Sequence, residues 1–139
     1  MNKALQIISW ITIALALGVI LVITYWLIYP YKPITFSQPH QILTPEVSHG
    51  EHLSYEVHYC KKTTITPVVT RTFIDGIIYS VPEIVATNKE TGCSVQVVQM
   101  YVPKALPSGD YHIEINYKYK VNPIRDITVT TVTDNFTIK

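Results

Sequence analysis

The chain has 139 residues, a formal net charge of +1, 15% charged residues and two cysteines. A charge this close to zero gives no long-range field to gather nucleic acid or an acidic surface, and a chain this short holds one small domain with a single core once a membrane segment is set aside. Nine prolines, ten tyrosines and an abundance of Val, Ile and Thr turn that domain toward β structure.

The first element is the stretch Ala4–Tyr29, which contains no Asp, Glu, Lys, Arg or His. About 24 mostly apolar residues at 1.5 Å each give a helix of roughly 36 Å, enough to cross a bilayer with some tilt. The run is too long for the apolar region of a cleaved signal peptide, and no A-x-A-like site follows it, so it reads as a signal anchor. Tyr25, Trp26, Tyr29 and Tyr31 cluster at its far end, where amphipathic rings suit the lipid–water interface. Pro30 and Pro33 end the helix. Ala14 and Gly18 form one small-xxx-small pair, a spacing that can seat a second helix. The expected organisation is a stub at 1–3, a transmembrane helix at 4–29, a Pro-containing linker at 30–33 and a domain at 34–139. Orientation rests on Lys3 against Lys32 and on a cysteine pair that suits an oxidising space. Both place the N-terminus in the cytoplasm and the domain outside it, in the periplasm or extracellular space.

From Ile34 onward, short β-like runs alternate with turn residues every 8–12 positions. Thr35–Ser37 and Gln41–Leu43 read as split edge pieces. His52–Cys60 alternates, with Leu53, Tyr55, Val57 and Tyr59 on one face. Pro67–Ile74 and Ile77–Val81 flank Asp75-Gly76, a strong hairpin signal, and Glu83–Thr87 reads as a short edge strand. Ser94–Val102 and Ile127–Ile138 each change apolar phase midway, at Val97 to Val98 and at Val129 to Val132, as a β-bulge requires. The clearest run is Tyr111–Val121, where a period of two over eleven residues demands a strand with one buried face.

Seven or eight such strands resemble an immunoglobulin-like or fibronectin type III-like antiparallel β-sandwich behind the helix. The segment LPSGDYHIEI resembles the tyrosine corner of that superfamily, and the resemblance gives Tyr111 the role of bonding back to upstream backbone. The pattern departs from antibody-type domains: the third strand lacks a Trp, and no Cys follows two residues after Tyr111. The resemblance implies that the strands ending at Cys60 and beginning at Cys93 are antiparallel neighbours, so a Cys60–Cys93 disulfide is expected, with Cys60 on the solvent side. The other readings of these cysteines are free thiols or a redox or metal pair, and the pair lacks a CxxC spacing.

The remaining chemistry is thin. His49, His52 and His58 with Glu51 and Glu56 suggest a metal, but His52 and His58 stand about 20 Å apart along a strand. His49 and His52 alone make the weak candidate pair for zinc or copper. Ser54 lies near His58 and Glu56 in sequence, yet same-face neighbours on a strand are about 6.6 Å apart, too far for a catalytic relay. Asn135-Phe136-Thr137 matches a glycosylation acceptor pattern. No phosphate loop or cofactor motif is present.

These readings lead to a non-enzymatic, single-pass membrane protein whose domain binds or braces another membrane or envelope protein. An accessory subunit of a membrane complex, or a small phage- or virus-encoded envelope protein, fits the short chain. The candidate contacts are exposed sheet edges, the Thr-rich end Thr128–Thr137 among them, and the loop Pro82–Thr91. The expected partners are the lipid bilayer and that protein, with no nucleic acid, small-molecule substrate or cofactor. The alternative is a metal-handling accessory protein for copper or zinc.

Overall fold

The computed structural model describes residues 3–139; of the expected stub, residues 1 and 2 lie outside the described residues. One helix, α1 (Lys3–Ile28), is followed by ten strands. The chain falls into two compact units, the helix with residues to Tyr31 and the turn Asn122–Arg125, and the remainder from Lys32.

No residue of α1 is buried against the rest of the chain. Its 26 residues span about 39 Å. Inside it, Thr12 donates its hydroxyl to the Ile8 carbonyl at 3.0 Å, which satisfies a polar group that hydrocarbon would leave unpaired. The helix stops where Pro30 approaches, because the residue before a proline is pushed out of helical geometry.

The second unit is a β-sandwich. In the first sheet, β4 (His52–Lys61) is central. β1 (Ile34–Phe36) and β2 (Gln41–Ile42) share one of its edges, and β7 (Gly92–Tyr101) lies along the other. The second sheet runs β3 (Glu46–Val47), β10 (Phe136–Ile138), β8 (Gly109–Asn122), β5 (Val68–Asp75), β6 (Ile77–Val85), with β9 (Arg125–Val132) also on β8. Pairing is antiparallel except for the short parallel ladder of β3 on β10 and one parallel bridge, His40 to Thr133. The strand count exceeds the expected seven or eight because several pieces are only two or three residues long.

The core lies between the sheets. Leu53, Tyr55 and Val57 of β4 meet Val69 and Phe73 of β5 and Tyr111, Ile113 and Ile115 of β8. These are the inward files that alternation marks on β4 and β8.

Three strands differ from the expectation, each for a visible reason. Ile77–Val81 and Glu83–Thr87 are one strand, β6. Pro82 and Glu83 together oppose Thr70, because Val69 pairs with Ile84 and Arg71 with Val81. A bulge is where a strand tolerates the missing N–H of proline. The loop expected at Pro82–Thr91 is therefore shorter and begins at Ala86. The bulge expected in Ser94–Val102 is absent: β7 keeps unbroken register on β4 from His52↔Tyr101 to Lys61↔Gly92. Its change of phase means instead that Val98 and Met100 face inward while Val95 and Val97 face out, 55% and 52% exposed. The run Ile127–Ile138 breaks into β9 and β10 at Thr133, whose hydroxyl accepts the Ile113 N–H at 2.9 Å and so takes the place of a backbone acceptor in the ladder. Pro33, placed in the linker by sequence, is buried and accepts the Lys62 N–H at 2.8 Å, so the sandwich begins there.

Candidate functional site

Strands β6 and β7 each end a sheet, and a cleft of about 420 Å³ opens between them. Val57, Val69 and Tyr117 line its interior; Ile84 and Val85 of β6 and Val97 of β7 line it from the exposed side. Two cations reach it. Arg71 sits in the inward file between Val69 and Phe73, and its Nε donates to the Tyr55 hydroxyl at 2.9 Å. Lys61, 5% exposed, donates its Nζ to the Asn88 carbonyl, and Asn88 Nδ2 donates to the Tyr59 hydroxyl at 3.1 Å. These two bonds tie the loop after β6 to the end of β4.

Burial shapes the protonation of this region. It lowers the Lys61 ammonium below its usual range and raises the Tyr55 hydroxyl against the opposing pull of Arg71. Burial, with Tyr55 nearby, holds Tyr117 far above the ordinary phenol value. Among the described residues the lining contains no carboxylate, histidine, serine or cysteine. The cleft offers apolar walls, hydroxyls and positive charge.

The residues singled out from sequence fall in several places. Cys60 and Cys93 form a disulfide between paired positions of β4 and β7, with Cα atoms 3.9 Å apart. The Tyr111 hydroxyl donates to the Pro107 carbonyl at 3.0 Å, and its buried ring packs on Phe73 and Phe136 with centroids 6.3 Å from each. That is the geometry of a tyrosine corner. The Tyr25 and Tyr29 rings lie 5.1 Å apart at the end of α1; Trp26 is exposed and Tyr31 half-buried.

The histidines do not converge. His49 Nε2 and the Leu106 carbonyl are 2.6 Å apart, and His52 is exposed beside the Tyr101 ring. His58 pairs with Glu56 on the outer face of β4, and neither they nor Ser54 line the cleft. Among the described residues no three His, Cys, Asp or Glu side chains gather as a ligand set.

Sequence reasoning missed His40. Its ring is fully buried, stacked on Tyr55 at 6.0 Å and edge-on to Phe36 at 5.1 Å, and neither ring nitrogen has a hydrogen-bond partner. Burial, with His58 adding, holds it at about 4. A lone His after a proline carries no signal of this. Arg71 and Lys61 were legible: each shares the parity of the inward file on its strand.

No protein-family model and no curated protein matches the sequence. Among solved structures, the chain is similar to the CARDB domain of a Pyrococcus furiosus protein, solved in complex with di-metal ions. The identity is 17% and the TM-score 0.39, covering 76% of this chain and 92% of that domain.

Proposed function

We propose that this protein is held in a membrane by α1, with its N-terminus in the cytoplasm, and that its sandwich lies outside the cytoplasm and binds another membrane or envelope protein without catalysing a reaction. The observation that carries the reading is that α1 is 26 residues long, free of charge after Lys3, and has no side chain buried in the chain. An apolar surface of that length needs lipid to cover it. The disulfide supports an oxidising compartment for the sandwich. The exposed apolar side chains of β6 and β7 support a contact surface between them: Ile84 and Val85 on one, Val95 and Val97 on the other.

The test is site-specific photocrosslinking in intact membranes. A photoreactive side chain at Ile84 or Val85 is expected to give a discrete adduct with another protein, while one at Lys118, exposed on the central strand β8, gives none. Absence of adducts at every position, with the protein present in the membrane, would rule out the binding role.

A further inference from the structure

We infer that β7 is a self-association strand: two copies of this chain pair antiparallel along β7 about a two-fold axis at Val97, joining their first sheets into one. The inference goes beyond the proposed function and holds whether or not another envelope protein is bound.

The free edge can be read from the hydrogen bonds of its neighbour. On β4, the carbonyls of Ser54 and His58 accept from Leu43 at 2.9 Å and Ser37 at 3.3 Å, on the side of β1 and β2. The alternate residues Leu53, Tyr55, Val57 and Tyr59 therefore face β7, where they pair with Met100, Val98, Gln96 and Ser94. Val102 continues the same parity, bonding both ways with Gly50 and Glu51. The N–H and C=O groups of Cys93, Val95, Val97, Gln99 and Tyr101 are thus directed at the open edge. Among the described residues β7 pairs with β4 alone.

Edge strands are ordinarily protected by charge, proline, a bulge or shortness. The other long edge, β6, has Pro82, Glu83 and a bulge. β7 has none of these: it is ten residues long, in unbroken register, and without charge or proline. Such an edge is a template for a further strand.

The occupant follows from charge and symmetry. No ionisable residue other than the bonded Cys93 and Tyr101 lies between Thr91 and Pro103, so a second copy meets this strand without like-charge repulsion. Pairing open-edge groups with open-edge groups puts the axis on a residue. On Val97, it sets Val97 against its own copy and Val95 against Gln99 on the outer face. An axis on Val97 pairs all five open-edge residues of β7, with Cys93 against Tyr101 as well, whereas one on Gln96 would leave Tyr101 opposite Thr91, outside the strand.

The full-length protein in mild detergent micelles tests this by light-scattering mass. The wild type is expected at twice the chain mass. Val97→Lys, which places two cations face to face across the axis, is expected to weaken the dimer by at least about tenfold while far-UV circular dichroism stays unchanged. Val97→Cys is expected to crosslink to the double mass with a short bismaleimide, and Ile78→Cys, on β6, is not. A wild type at single-chain mass would overturn the inference. So would a dimer indifferent to Val97→Lys, equal crosslinking at Ile78, or an adduct at Val97 made only with a different protein.

Discussion

The two sides of the sandwich are built differently. At one side Phe73, Tyr111 and Phe136 pack ring against ring, with centroids 6.1–6.3 Å apart, and the Tyr111 hydroxyl is bonded to the turn before β8. At the other side, the strands β6 and β7 leave a cleft between the sheets and carry apolar side chains to its rim. The closed side resembles a domain interior. The open side has cations set inside it and no carboxylate among its lining. The difference predicts that substitutions on the closed side cost folding stability, while those on the open rim cost association and leave folding nearly unchanged.

Substitutions can sharpen or break this contrast. Phe73→Ala, at a position with no exposed surface, is expected to cost about 3–5 kcal/mol in denaturant unfolding. Replacing Cys60 and Cys93 by serine opens a loop of 33 residues and is expected to cost about 3–4 kcal/mol. Tyr111→Phe leaves the Pro107 carbonyl without its donor and is expected to cost about 1–3 kcal/mol. At the rim, Val97→Lys should change monomer unfolding by less than about 0.5 kcal/mol. A Val97 effect as large as that of Phe73 would erase the distinction between the two sides.

The smallest effect at neutral pH belongs to His40. Burial, with His58 adding, holds its folded value at about 4, below the ordinary 6.5. The unfolded chain therefore takes up the proton first as pH falls. The stability contributed by neutral His40 is full above about 6.5 and is lost as the pH falls from there to about 4. His40→Phe is expected to stay within about 1 kcal/mol of wild type at pH 7 and to flatten stability between pH 6.5 and 4. Urea titrations across that range, read by tyrosine fluorescence, would reveal whether it does.

Much of the fold was legible in the sequence because alternation is a backbone constraint. The inward files of β4 and β8 follow directly from residues spaced by two, and Asp75-Gly76 marks the β5–β6 hairpin, with Gly76 at φ +59°. Boundaries set by single side chains were less visible. The Thr133 hydroxyl splits β9 from β10, and Pro82 bends β6 without ending it. The phase change in β7 reads equally as a bulge or as a strand with apolar residues on both faces, and only the partner strand's register decides between them. The cleft was illegible for a different reason: it is formed by residues far apart in sequence. Arg71 and Lys61 could have been placed inside by parity, but what they face depends on how the sheets are stacked. His40 is buried by tertiary packing alone.

The proposed function depends on α1 lying in lipid. Membranes carrying the full-length chain, washed at alkaline carbonate pH, provide the most direct measurement. The protein should remain at full mass in the membrane pellet. Recovery at full mass in the supernatant would contradict the account.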